Sequence, residues 1–170
     1  MIEIRNETPT DYDAIREVNE RAFGGTAEAQ LVDLLRAAKM AAVSLVALNQ
    51  GHVVGHIMFS PVTITQTPEN FRGVGLAPMS VLPEFQNQGI GSKLVRNGLE
   101  ACKQKGYDAV VVLGHTKYYP RFGFSRAKDH GLDNEYNELE SFMVLELKQG
   151  ALRMISGLVK YAPEFIEAGC

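Results

Sequence analysis

Residues 81–94, Val-Leu-Pro-Glu-Phe-Gln-Asn-Gln-Gly-Ile-Gly-Ser-Lys-Leu, constrain the fold more than any other stretch of the chain. The run from Gly73 to Val81 has strand character, and a helical period takes over at Gly89 and lasts to about Lys105. Ile90, Leu94, Val95, Leu99 and Cys102 fall on one face of that helix, and Lys93, Arg96, Glu100 and Lys103 on the other. A strand that feeds a two-glycine turn, which in turn opens a helix, points the helix's first unpaired amides outward. The positive end of its dipole then faces any anion placed there. Gly89 and Gly91 remove the side chains that would block a close approach, so the spacing predicts a cradle for a phosphate or pyrophosphate.

Two other phosphate loops do not fit. A Walker loop places four residues between its glycines and ends Gly-Lys-Ser/Thr; here one residue separates Gly89 from Gly91, and Ser92 precedes Lys93. A dinucleotide fingerprint needs glycine or alanine three positions after Gly91, where Leu94 stands, and an acidic residue after the next strand, where Leu113-Gly114 offers none.

Around this segment the chain alternates between strand and helix patterns. Strands are predicted at Ile2–Arg5, Ser44–Leu48, Val53–Phe59, Gly73–Val81, Ala109–Leu113 and Phe142–Leu147, with another starting at Phe124. Asn49-Gln50-Gly51 turns the second strand into the third, and Pro61 is expected to end or kink that third strand. A first helix with Tyr12, Ile15, Val18 and Ala22 on its apolar face is expected to be capped by Thr10. A second carries Leu31, Leu34, Leu35 and Ala38. Tyr118–Phe122 fits one helical turn; Thr65–Arg72 and Asp129–Glu140 read as loops; in the tail, Gly157–Tyr161 reads as a short strand with a docked end. The order predicts one mixed α/β domain over residues 1–170, a mixed sheet with helices on both sides.

Composition narrows the function. The net charge of −3 is scattered, without the basic stripe of a nucleic-acid binder. No apolar run is long enough to cross a bilayer, and the start Met1-Ile2-Glu3-Ile4-Arg5 reads as a strand, which together predict a cytoplasmic protein. Cys102 and Cys170 read as free thiols, and no Cys-x-x-Cys or His-Glu-x-x-His spacing predicts a metal site.

Gln86-x-x-Gly89-x-Gly91, after a strand and before an amphipathic helix, resembles the Gln/Arg-x-x-Gly-x-Gly/Ala signature of the GNAT N-acetyltransferases. Tyr119-Pro-Arg-Phe-Gly123-Phe124 resembles that family's Tyr-x-x-x-Gly-Phe segment, in the expected order. Val111 to Tyr119 and the tail Gly157–Tyr161 are most similar to its bacterial YhbS-like branch. The resemblance implies a central, mostly antiparallel sheet splayed in the middle, and transfer of an acetyl group from acetyl-coenzyme A to a small-molecule or peptide amine by direct attack. Amides of Gln86, Asn87, Gln88, Gly89, Ile90, Gly91 and Ser92 would hold the coenzyme pyrophosphate. The edge at Met79 and Val81 would pair with the pantetheine arm, and the thioester would lie between the strands ending at Val81 and Leu113. The resemblance extends to homodimers, for which the late strands offer an interface. Two alternatives stay open: an acyl-coenzyme A sensor with little activity, or an enzyme for a longer acyl chain lined by Met79 and Phe85.

Such chemistry needs a base for the amine, a donor for the thioester oxygen and an acid for the leaving thiolate. Tyr119 matches the family's catalytic tyrosine, and a phenol is protonated at neutral pH, so Tyr119 is the candidate general acid. Tyr118 matches a packing position. A backbone N–H at Val81 or its neighbour is the candidate oxyanion donor. Glu28, His56, Glu84 and His115 are the candidate bases. His115 departs from the acidic residue more usual in the branch.

Overall fold

The computed structural model describes residues 1–170. Nine strands are connected in the order β1-β2-β3-β4-β5-β8-β6, with β9 pairing β3 and β7 pairing β9. They are β1 (Ile2–Asn6), β2 (Val43–Asn49), β3 (His52–Gln66), β4 (Gly73–Val81), β5 (Ala109–Leu113), β6 (Ser125–Arg126), β7 (Leu132–Asn134), β8 (Phe142–Glu146) and β9 (Ser156–Lys160). The helices are α1 (Tyr12–Phe23), α2 (Ala27–Ala37), α3 (Ile90–Gln104) and the short α4 (Glu164–Glu167). All pairings are antiparallel except β4 with β5 and β7 with β9.

The period of two in the central strands divides the core. Val46 of β2 and Val111 of β5 pack with Ile15 of α1 and Leu31 and Leu35 of α2. Their neighbours Leu45 and Val112 pack on the other face with Leu94, Val95 and Cys102 of α3. Apolar side chains on both faces of β2 and β5 are the sequence mark of strands covered on both sides, as expected for a mixed sheet with helices on each face.

The differences from the sequence reading have local causes. Thr8, not Thr10, starts the first helical segment: its N–H donates to Asp11 Oδ2 at 2.7 Å, and Pro9 opens the turn. Pro61 does not end β3. Phe59 C=O accepts from Ala42 N–H, so Pro61, two residues on, faces the same edge after β2 has ended; no hydrogen bond there needs its missing N–H. β3 then runs to Gln66 and gains β9 as a new partner from Thr63. Part of the expected 129–140 loop is ordered: Leu132–Asn134 forms β7, where the buried Asn134 amide donates to Glu138 C=O at 2.7 Å. The expected tail strand is β9, and the docked end after it forms α4.

A largely buried polar chain ties α1, β2, β3 and α2 to Glu7, the residue after β1. Arg36 donates from Nε and Nη2 to the two Glu7 carboxylate oxygens at 2.9 Å each, and Ser44 Oγ donates to Glu7 at 2.6 Å. Ser44 has spent its proton, so it accepts from His56 Nε2–H at 2.9 Å, and Nδ1 is left to accept from Asn19 Nδ2 at 3.4 Å. His56 is therefore held neutral, and burial pushes its pKa down to about 4, outweighing the nearby Glu7 charge. The unfolded chain gains a proton at His56 below about pH 6.5, whereas the folded chain gains it only near pH 4. Stability from this group is thus complete above pH 6.5 and falls by about 3 kcal/mol as the pH drops to 4. Urea titrations at pH 7 and 4.5 are expected to show that loss in the wild type, and His56→Gln to flatten the slope across this window.

Candidate active site

The central strands part company midway. β4 pairs with β5 only from Gly73 to Gly75, opposite Ala109 to Val111, while β4 continues to Val81. On its other side, Ile57 opposes Met79 but Phe59 opposes Leu76, so β4 carries one extra residue at Ala77-Pro78. A bulge of this kind bends the strand that carries it, and it lies where β4 leaves β5. Beyond it the β5-facing edge of β4 is open. Leu82 N–H bonds to Val54 C=O on β3, so by alternation Met79 and Val81 turn their main-chain groups to the open edge. The Gln86 side chain reaches back and donates to Val81 C=O at 3.0 Å, bracing the strand end against the turn.

The turn itself is held by two residues in the left-handed region, Asn87 at φ 63° and Gly89 at φ 83°. Gly89 is the residue preceding α3, and a Cβ placed on it would meet no atom within 4 Å. The first bond of the helix ladder runs from Lys93 N–H to Gly89 C=O at 3.1 Å. The amides just before it, from Gly89 to Ser92, are the unpaired donors of a helix start. They line a cleft of about 650 Å³ with Met79, Val81, Phe85, Gln86 and Asn87. Gln88 does not line it; its side chain folds back to Glu84 C=O at 3.3 Å. Sequence reasoning gave Tyr118 only a packing position, whereas its hydroxyl lies 3.0 Å from Ser92 Oγ in this cleft, and it passed over Arg121 and the bracing role of the Gln86 side chain. Arg121 carried a signal by lying inside the second motif, and Tyr118 by standing immediately before it.

A second cleft of about 810 Å³ lies on the other side of the parting, lined by Leu76–Met79 of β4, Leu113–His115 at the end of β5, and residues of α1, α2 and the tail. Phe23, Met79, His115 and Tyr119 line both clefts and so form their common wall. Tyr119 is buried, with its ring edge-on to Tyr118 at 5.1 Å and to Phe124 at 5.7 Å. Gly114 makes room for it: a Cβ there would stand 2.3 Å from Tyr119 Cε2. Burial, with the neighbouring Tyr118, pushes the Tyr119 phenol up to about 12, so it is a proton donor throughout the neutral range.

The four candidate bases are separated by their placement. Glu28 lines the second cleft and His115 lines both. Glu84 sits on the outer surface paired with Arg21 at 2.7 Å. His56 lies in the buried chain described above and lines neither cleft. The acidic run after Asp129 is largely engaged: Arg126 pairs with Asp129 and Glu140, Lys128 pairs with Glu140, and Glu135 accepts from Tyr161 N–H.

An anion-receptive helix start and an open strand edge meet a second cavity at a buried phenol. The comparisons agree with that arrangement. Residues 3–127 match the family described as the acetyltransferase (GNAT) domain. The chain is 39% identical over 164 residues to the uncharacterized N-acetyltransferase YhbS of Escherichia coli (strain K12), covering 95% of this chain and 97% of that one. The crystal structure of Escherichia coli YhbS in complex with CoA superposes with a TM-score of 0.91 at 38% identity, over 97% of this chain and 92% of the other. A GNAT family acetyltransferase from Brucella melitensis in complex with acetyl-CoA gives 0.81 at 39% identity, over 97% and 98%. The chain belongs to the GNAT acetyltransferase family.

Proposed function

We propose that the protein is an acetyl-coenzyme A-dependent N-acetyltransferase that acetylates a primary amine by direct attack. The observation that carries this reading is the common wall: one buried tyrosine, Tyr119, faces both a cleft built from outward amides and a cleft fit for an acceptor. Bound acetyl-coenzyme A would supply the thioester whose carbonyl carbon the amine nitrogen attacks. Gly89 to Ser92 would hold the pyrophosphate with main-chain N–H groups, helped by the α3 dipole. Met79 and Val81 would hold the pantetheine arm as an added strand, with the Val81 N–H turned toward the thioester oxygen. His115, on the wall between the clefts, is the proposed base; Glu28, confined to the second cleft, is proposed to hold the ammonium form. His115 takes the ammonium's proton and frees the lone pair; the new N–C bond then forms and the C–S bond breaks, the sulfur takes the Tyr119 proton, and the proton lost by the new amide nitrogen returns through solvent to the Tyr119 phenolate. Proximity of the two reactants across this wall supplies much of the rate.

The coenzyme half is tested by thermal unfolding with acetyl-coenzyme A, coenzyme A, ATP and NAD. The coenzyme A compounds are expected to raise the melting temperature, and ATP and NAD to leave it in place. Failure of every coenzyme A compound to stabilise the chain overturns the reading.

A further inference from the structure

Building on that reading, we propose that the acceptor is a small primary amine with an aromatic or aliphatic body and no anionic group. The charges of the two clefts differ. Arg121 lines the cleft assigned to the coenzyme, whereas the acceptor cleft has no lysine or arginine in its lining and contains two carboxylates, Glu28 and Glu138. Neither has the kind of cationic partner that occupies Glu84 or Glu140. An ammonium group therefore finds a counter-charge there, while a carboxylate or phosphate on the acceptor finds none and meets like charge.

The remaining lining is apolar and aromatic. Tyr161 stands with its ring 6.1 Å from Tyr136 and 4.9 Å from Phe165, making a continuous aromatic wall, and Phe23 stands half-exposed at the mouth. Aromatic faces suit both an apolar body and a nearby cation. The Tyr161 hydroxyl is buried without a hydrogen-bond partner in the chain, the single unsatisfied polar atom in this wall. A sugar-based polyamine would lose the hydration of many hydroxyls against this surface and recover few hydrogen bonds. A cavity of about 810 Å³ is the size of a small-molecule site.

The test is a free-thiol release assay with acetyl-coenzyme A and matched acceptors: 2-phenylethylamine and pentylamine, their carboxylated counterparts phenylalanine and norleucine, spermidine, kanamycin and a short lysine peptide. The uncarboxylated amines are expected to exceed their amino-acid counterparts in kcat/KM by roughly a hundredfold, because an unpaired carboxylate must enter a like-charged site. Glu28→Gln is expected to raise KM for the amine about tenfold, with kcat changed far less. Glu28→Gln/Glu138→Gln should narrow the amine to amino-acid gap, which a loss of packing alone would not do. Preference for an amino acid, kanamycin or the peptide overturns the proposal, whereas spermidine, an aliphatic amine without an anion, counts with the simple amines. So does the absence of any turnover of the two simple amines by protein that acetyl-coenzyme A still stabilises against heat. Loss of that stabilisation instead brings down the acetyltransferase reading itself, so the two failures are separable.

Discussion

Gly89→Glu is expected to abolish the thermal stabilisation by acetyl-coenzyme A while leaving the fold intact. The position is exposed and its Cβ would project into open space, so nothing in the core is disturbed. The left-handed φ of 83° is awkward for glutamate and adds a modest destabilisation of about 1 kcal/mol. The larger effect is on the anion: a carboxylate would stand at the start of α3, where the amides of Gly89 to Ser92 face the cleft. It would compete with a pyrophosphate for the same donors and repel it. At a ligand concentration a hundred times Kd, the wild type gains about 2.7 kcal/mol by mass action, and the variant should gain nothing measurable. Differential scanning fluorimetry across a coenzyme titration checks this. An unchanged shift would mean that the coenzyme does not use these amides.

Tyr119→Phe is expected to lower kcat by about a hundredfold, the usual worth of a positioned proton donor, and to leave coenzyme affinity nearly intact. Removing one oxygen keeps the ring that fills the space beside Gly114 and Phe124. Because the phenol is pushed up to about 12, wild-type kcat should show no alkaline limb from Tyr119 below about pH 11. A limb seen near pH 8 or 9 belongs to another group. Steady-state kinetics paired with the fluorimetry assay separate the effects: a fall in kcat with retained binding supports proton donation. A fall of less than threefold would make Tyr119 a packing residue and move the acid role to water or to Tyr118, whose hydroxyl already meets Ser92.

The elements with strong local patterning were legible in the sequence. The α3 face, the all-apolar β5 run and the two-glycine turn each follow from nearest-neighbour chemistry, and the structure places Met79, Val81, Gln86, Asn87, Gly89, Ile90, Gly91 and Ser92 around one cleft. What escaped depends on partners distant in the chain. Pro61 is tolerated because β2 stops short of it, which Pro61's own neighbours do not reveal. Leu132–Asn134 becomes a strand because β9, more than twenty residues later, offers an edge. The second cleft draws its wall from α1, α2, the end of β5 and the tail; no local spacing links Glu28 to Tyr161. His56 is a candidate base on residue type alone; its environment, with both ring nitrogens engaged, is set by Ser44 and Asn19 on other elements.

The wall shared by the two clefts has a thermodynamic corollary. Any shift of Phe23, Met79, His115 or Tyr119 around one occupant also alters the surface offered to the other. Occupancy of the two cavities is therefore expected to be linked. Whatever factor the first ligand contributes to the second's affinity, the second returns to the first. An acceptor measured on the empty protein would consequently be ranked by a different surface from the one it meets during turnover, and affinities gathered without the coenzyme would misorder the amines.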